Sequence, residues 1–323
     1  MSHQTVSRVI NGHPSVLPAT RQRVQSAIEQ LGYRRNYAAR ALATSRTDVL
    51  GVVVVSTNLY GPSRTLLGIE QAAREAGYWV SVASVDADSG TQTETAISHF
   101  MDQGVDGVAV VAQTAVAVRA AARMSGSRPM VLVASAPVRS SQAAAGLVEI
   151  DIDQWLGAEL AVQHLLELGH RSVAHITGPA KDLHSQARTN SWRRVLAEAG
   201  LPEGPLLAGD WSGESGYQAG RELAQLEPLP TAVFVGNDTM AQGVLRALWE
   251  AGVSVPGDIS VVGFDDSPGV DQAIPPLTTV RQDHVALGAA CLERLIALIE
   301  GRPAEGFLLS PNLVVRASTL RPA

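Results

Sequence analysis

The stretch Gln4-Thr5-Val6-Ser7-Arg8-Val9-Ile10-Asn11-Gly12 carries two kinds of side chain on one helical period. Val6, Val9 and Ile10 fall at i, i+3 and i+4, one apolar stripe of a helix. Gln4, Ser7, Arg8 and Asn11 occupy the other side. The paired donors and acceptors of Gln and Arg match base edges in the DNA major groove. Asn11-Gly12 ends the helix, since both residues tolerate the left-handed backbone of a helix stop. An ordinary amphipathic surface helix is the competing reading of so short a stretch.

A second set of polar groups lies far along the chain. Arg188, in Gln186-Ala187-Arg188-Thr189-Asn190-Ser191-Trp192, falls at a helix start. A guanidinium there can fork two adjacent hydroxyls. Asn237 follows the apolar run Thr231–Val235, and Asp265 follows the run Ile259–Phe264. Amide and carboxylate at strand ends offer paired donors and acceptors to the vicinal hydroxyls of a sugar. Trp211, in Gly209-Asp210-Trp211-Ser212, can stack on the apolar face of a pyranose, with core packing as its alternative. Asp238 and Asp266, next to the two strand-end groups, read as helix caps.

The elements that position these groups follow from charge and hydropathy. Seven arginines against the single acid Glu29 leave the first 46 residues at +6. The whole chain is at −6, so the remainder is at −12. A basic head on an acidic body is the asymmetry of a nucleic-acid module fused to something else. The 46% hydrophobic and 17% charged composition over 323 residues is that of a globular chain with large cores. One cysteine, Cys291, excludes an internal disulfide framework. No signal-peptide or membrane-spanning pattern is found, so a cytoplasmic protein with no membrane partner is expected.

After the first helix, Pro18 opens a second, with Val24, Ala27, Ile28 and Leu31 on its apolar face and Gly32 closing it. Leu17 stands where Ser or Asp would cap better, a cost of ~1 kcal/mol. Residues 36–46 are Ala-rich but short, a helix only when something stabilises it. From Val49 on, apolar runs at Leu50–Val55, Trp79–Ala83, Gly107–Ala112, Met130–Ala134, Leu147–Ile150, Ser172–Ile176, Leu206–Ala208, Thr231–Val235 and Ile259–Phe264 alternate with helical stretches. This alternation predicts parallel sheets covered on both faces. The runs are too many for one layer, and 137–146 reads as a loop at a seam, so two Rossmann-like lobes with a ligand cleft between them are expected.

With these motifs in order, the chain resembles the lactose-repressor (LacI/GalR) family over essentially its whole length. QTVSRVIN at Gln4–Asn11 looks like the family's recognition helix and NYAARAL at Asn36–Leu42 like its hinge. LLELGH at Leu165–His170, ITGP at Ile176–Pro179, GNDTMA at Gly236–Ala241, VVGFDD at Val261–Asp266 and PPLTTVRQD at Pro275–Asp283 stand in the family's order and spacing. The fold so implied is α/β, two lobes of the periplasmic-binding-protein type behind a small all-α partial helix-turn-helix head and hinge helix. The head is placed at 1–35, the hinge at 36–47 and the effector-binding and dimerisation domain at 48–323. Within it lobe 1 is expected over about 48–146 plus 283–305, and lobe 2 over about 147–280 plus 306–323. Family members begin about one helix earlier, so the resemblance implies a head without the first helix of its motif.

The resemblance also implies site roles. His3, Gln4 and Arg8 stand at base-reading positions, with Thr5, Ser7 and Asn11 nearer phosphates or the turn. Asn36 opens the hinge, and Leu42 holds the position that wedges into the minor groove, where an apolar side chain unstacks a base step. Arg188, Trp211, Asn237, Asp265 and Gln282, the last in the crossover between lobes, match effector-contacting positions. Leu59, Pro62 and Ser63 would line the cleft from the first lobe. A polar strand-end position falls near Val111-Ala112-Gln113, and an acidic one at Asp151 or Asp153. The expected function is a dimeric, sequence-specific DNA-binding repressor whose operator affinity is set by a small sugar, a galactoside being one candidate. A sugar sensor without DNA binding and a solute-binding protein are the alternatives. The chain ends after the predicted strand Asn312–Ala317 with no heptad tail, so no tetramer is expected.

No enzyme is expected. Gly213-Glu214-Ser215-Gly216 lacks the spacing of a nucleophile elbow. No phosphate loop or dinucleotide fingerprint follows a strand, and the eight histidines show no metal-ligand spacing, so neither cofactor nor metal is expected. His170 reads as a helix-closing charge that suits the dipole.

Overall fold

Side chains of the strand Val49–Val55 (β1) divide between two cores. Leu50, Val52 and Val54 face one, Val53 and Val55 the other, all fully buried. A strand with no solvated face belongs to the interior of a parallel sheet. β1 pairs in parallel with Trp79–Val85 (β2) on one side and Gly107–Val111 (β3) on the other. The sheet continues in parallel through Met130–Val133 (β4), Leu147–Ile152 (β5) and Phe307–Leu309 (β11), giving the order β11-β5-β4-β3-β1-β2. The computed structural model describes residues 2–10, 13–32, 46–56, 58–87, 89–126, 128–134 and 147–322.

Helices Tyr60–Glu75 (α3) and His284–Ile299 (α10) cover the Leu50 face of this first sheet, while Gly90–Asp102 (α4) and Ala115–Met124 (α5) cover the other. α3 and α10 pack with their backbones close together. A Cβ on Gly68 would lie 2.3 Å from the Val285 carbonyl oxygen, and one on Gly288 would lie 2.3 Å from that of Thr65. Larger residues at either position would push the two helices apart.

The second sheet contains Val173–Thr177 (β6), Leu206–Ala208 (β7), Ala232–Val235 (β8), Ser260–Asp265 (β9), Thr278–Arg281 (β10) and Asn312–Val314 (β12). Its order is β12-β10-β9-β8-β6-β7, parallel except where β12 runs against β10. Gln154–Glu167 (α6) and Leu183–Glu198 (α7) pack on one face around Trp192, Phe234 and Phe264. Gly213–Leu223 (α8) and Asp238–Glu250 (α9) pack on the other around Met240, Val244 and Leu248. The body is thus a two-lobed α/β structure, and the chain passes between lobes after β5, after β10 and after β11.

These crossings correct the expected lobe limits. β5 was expected in lobe 2 but extends the first sheet, where Met130 pairs with Leu147 and Val133 with Ile150. β11, also expected in lobe 2, pairs with β5 through Phe307 and Ile150. Residues 137–146 lie outside the described residues, between two neighbouring strands of one sheet, and the lobe seam comes later, at 152–154. His170 is not a dipole charge either. It is buried, with Nε2 donating to the Leu320 carbonyl at 2.9 Å, and burial lowers its pKa.

Met1–Thr47 forms a separate unit from Asp48–Ala323. It contains helices His3–Ile10 (α1) and Pro18–Gln30 (α2). The Ser2 hydroxyl oxygen accepts from the Thr5 amide at 3.2 Å, closing the start of α1. Pro18 occupies the first turn of α2, Leu17 makes no capping bond, and Gly32 at φ 57° follows the helix end.

Candidate functional site

Strands of both sheets end at one cavity of about 480 Å³ between the lobes. Leu59, Pro62, Arg188, Trp211, Asn237, Asp265 and Gln282 all line it. Ser63 does not: its hydroxyl donates to the Tyr60 carbonyl at 2.8 Å, within the first turn of α3.

Arg188, on α7, is 4% exposed. Its Nε and Nη2 both donate to Gln154 Oε1, at 2.9 and 2.8 Å, and Nη1 donates to the Gly236 carbonyl. The guanidinium stacks on Phe264, 3.7 Å from the ring centroid. Gln154 Nε2 then donates to Gln282 Oε1 at 2.8 Å, and Gln282 Nε2 to Asp265 Oδ1 at 2.7 Å. Two amides therefore link the cation to the carboxylate, whose closest direct approach is 4.0 Å. Burial lowers the Arg188 pKa while Asp265, Asp182 and Asp151 oppose the shift. Burial raises the Asp265 pKa against the pull of Arg188 and Gln282.

Asp265 has φ 116° and Trp211 φ 75°, left-handed conformations that cost non-glycine residues roughly 1–3 kcal/mol each and cluster at ligand clamps. Trp211 belongs to both the core and the cavity wall. Its ring packs in the second-lobe core over Gly178, where a Cβ would lie 2.3 Å from Cζ2, and it also lines the cavity. Asn237 is the cap of α9: Oδ1 accepts from the Met240 amide at 2.8 Å, and Nδ2 donates to the Trp211 carbonyl at 3.1 Å. One Nδ2 hydrogen remains for a ligand.

Asp238 and Asp266 are not caps. Asp238 is fully buried and accepts from Thr279 Oγ1 at 2.6 Å and the Ser267 amide at 2.8 Å. Burial, with the Asp265 charge beside it, raises its pKa. Asp266 pairs with Arg281 and Arg316, both at 2.6 Å. Of the two acids considered for the first lobe, Asp153 caps α6 through the Leu156 amide, and Asp151 bonds to His184.

Sequence reading missed Tyr60, His184 and His284 in the cavity wall and Gln154 behind it; Gln113, flagged as a strand end, is present. Burial pushes the His284 pKa down to about 3, so the ring is neutral. Among the described residues, His284 Nε2 is a buried side-chain polar atom without a hydrogen-bond partner. The cavity thus offers a guanidinium, a carboxylate, amides and two imidazoles around an indole. Such a lining suits a neutral polyol. Among the described residues no group of three or more His, Cys, Asp or Glu is placed to hold a metal ion, and no helix is long and apolar enough to cross a membrane.

In the head, Gln4 and Arg8 are exposed, Thr5 is half-buried and Val9 is buried, as an amphipathic helix requires. His3 and Ser7 are positions on α1. Asn11, Asn36 and Leu42 lie outside the described residues.

Comparison with known proteins fits both units. The profile of bacterial regulatory proteins of the lacI family matches residues 1–36, and that of the periplasmic binding protein-like domain matches residues 162–319. The lactose operon repressor of Escherichia coli (strain K12) is 34% identical over 327 residues, spanning 100% of this chain and 88% of that one. The HTH-type transcriptional regulator CelR of Thermobifida fusca is 35% identical over 328 residues, 97% of this chain and 94% of that one. A crystal structure of the lac repressor dimer bound to operator and the anti-inducer ONPF superposes with a TM-score of 0.89 at 33% identity, covering 99% of this chain and 96% of that one. These relatives are repressors and regulators, not enzymes. The chain belongs to the lacI family of bacterial regulatory proteins.

Proposed function

We propose that this chain is a DNA-binding transcriptional repressor whose grip on an operator is set by a small sugar held between the two lobes. The observation that carries the reading is the set Arg188, Gln282 and Asp265 on the cavity wall, linked through Gln154 behind it. It holds a buried cation 4.0 Å from a carboxylate at the cavity. The relatives support it. The lac repressor is described with operator and ONPF, and CelR in complex with cellobiose.

In this reading residues 1–35 are the DNA-binding head, 36–47 the hinge and 48–323 the effector and dimerisation domain. His3, Gln4 and Arg8 meet base edges, while Thr5, Ser7 and Asn11 sit nearer the phosphates. Asn36 opens the hinge and Leu42 enters the minor groove. In the cleft, Arg188, Asn237, Asp265 and Gln282 hold hydroxyls, and Trp211, Leu59 and Pro62 pack on the sugar's apolar faces. The working form is a cytoplasmic homodimer on a near-palindromic site. A ligand changes DNA affinity only through different affinities for two states of the protein.

Titrating the purified chain with mono- and disaccharides, galactosides included, while following tryptophan fluorescence tests the cleft. Binding of at least one sugar is expected, and that sugar should change the protein's retention of a palindromic DNA duplex. Sugar binding without any DNA retention would leave the sensor reading; no sugar binding would overturn the cleft assignment.

A further inference from the structure

The start of α7 fastens the second lobe to the first at three successive residues. Asp182 forms an antiparallel bridge with Thr114. The Leu183 amide donates to the Gln113 carbonyl at 2.8 Å, and the Leu183 side chain sits in the first-lobe core. His184 Nε2 lies 2.9 Å from Oδ2 of Asp151, on β5 of the first lobe. Asp151 Oδ1 accepts from the Ile152 amide at 2.8 Å. Both carboxylate oxygens are therefore engaged. His184 lines the cavity and Asp151 does not. A carboxylate on one imidazole nitrogen fixes the ring and decides what the other nitrogen presents. With Nε2–H given to Asp151, Nδ1 is the nitrogen left for whatever enters the cleft.

We propose that His184 reads the effector through Nδ1, and that the cross-lobe Asp151–His184 pair couples effector binding to proton uptake. The proposal rests on the cleft being the effector site.

The titratable and charged groups facing His184 come from several elements. They are Asp151 on β5, Asp182 at the α7 cap, Arg188 one turn along α7, His284 at the start of α10 and Asp265 at the end of β9. Burial and Arg188 oppose a charged imidazole; Asp151, with its hydrogen bond, and Asp182 favour it, and the balance raises the His184 pKa. His284 stays neutral, so one of the two cleft histidines takes the proton. In an opened cleft His184 meets water and titrates near the ordinary value of about 6.5. A group with the higher pKa in the closed form contributes its full closing free energy below the open-form value. That contribution is lost as pH rises through the closed-form value. Effector affinity therefore weakens on the alkaline side. Asp265, its pKa also raised by burial, acts in the same direction at the acid end of the range and does not depend on Asp151.

The test is calorimetric titration of the full chain with cellobiose and with ONPG, in buffers of different ionisation heat, between pH 6 and pH 9. The wild type should take up protons on binding, and its affinity should fall several-fold as pH rises across that range. Asp151→Asn and His184→Gln should bring the uptake close to zero and flatten the alkaline limb. Unchanged uptake in His184→Gln overturns the proposal. Amide exchange of the ligand-free chain examines the latch without any sugar. In Asp151→Asn the Leu183 amide should exchange several-fold faster at pH 6, with Val233 in β8 unchanged. Equal exchange at Leu183 overturns the latch. If neither sugar binds at any pH, the effector assignment of the cleft falls and the role of His184 with it, and the exchange result then decides the latch alone.

Discussion

In the body, Trp192, Phe234 and Phe264 are fully buried in one cluster, and each sheet is covered on both faces. In the head, among the described residues, Val9 and Val24 are the buried apolar side chains, on helices of 8 and 13 residues. Helices this short are marginal in water unless tertiary contacts hold them. The body thus has packing to spare, and it can tolerate a strained Asp265 and a buried Arg188. The head has little, so small local terms such as a missing cap weigh heavily there. That division suits a regulator: ligand chemistry needs a rigid frame, and a responsive grip needs a unit whose order is easily shifted.

The largest expected effect tests the packed frame. Trp192 is fully buried and its Nε1 donates to the Val173 carbonyl at 3.2 Å. Trp192→Ala should cost about 3–5 kcal/mol in denaturant unfolding followed by circular dichroism, as large aromatic truncations in close-packed cores do. A loss below about 1 kcal/mol would mean that the body is no better packed than the head.

Next comes the site within that frame. Arg188→Ala removes the fork and leaves Gln154 and Asp265 without their cation. Sugar affinity should fall by about 100-fold or more, roughly 2.7 kcal/mol, in a fluorescence titration. Asp265 can take up a proton, since burial already favours its neutral form, so the fold should survive. Arg188→Lys should not restore binding, because a point ammonium cannot supply the planar fork. Normal sugar affinity in Arg188→Ala would place the ligand elsewhere.

A subtler test uses pH. Asp238 is buried between Thr279 and the Ser267 amide, and its pKa is raised. A carboxyl with a raised folded-state pKa contributes stability below its unfolded value near 4, and loses it as pH rises through the folded value. The melting temperature of the body should therefore drop between pH 5 and pH 8. Asp238→Asn keeps the shape without the ionisation and should make that drop smaller. An identical pH dependence in the variant would put the proton elsewhere.

Much of this frame was legible in the sequence. Apolar runs located most strands because parallel strands buried on both faces have few polar residues. Asn237 and Asp265 stood out because each directly follows such a run. β10 and β11 were harder: Val280 is the one apolar residue of Thr278-Thr279-Val280-Arg281, and Leu308 in β11 is exposed at the sheet edge. The lobe seam was misplaced because β5 looks the same whichever sheet it joins. Gln154 and His184 were invisible as site residues because their partners are remote: Gln154 reaches Gln282, and His184 reaches Asp151. Ser63 failed for a local reason, since a serine in the first turn of a helix can turn back onto a nearby carbonyl.

The smallest expected effect sharpens the comparison from the head's side. Leu17 begins α2 with an extended backbone, φ −56° and ψ 141°, and 73% of its surface is exposed. Its side chain neither packs nor caps; the Thr20 and Arg21 amides bond only to the Leu17 carbonyl, at 3.0 Å, with no side-chain acceptor. Aspartate there would accept from an amide of the first turn and add a negative charge at the positive end of the helix dipole. Leu17→Asp should stabilise α2 by about 1 kcal/mol, seen as roughly fivefold slower amide exchange in residues 20–30. Exchange in the body should not change, because the head is a separate unit. Slowed exchange in both units would show that head and body order together, and the contrast between them would then have to be abandoned.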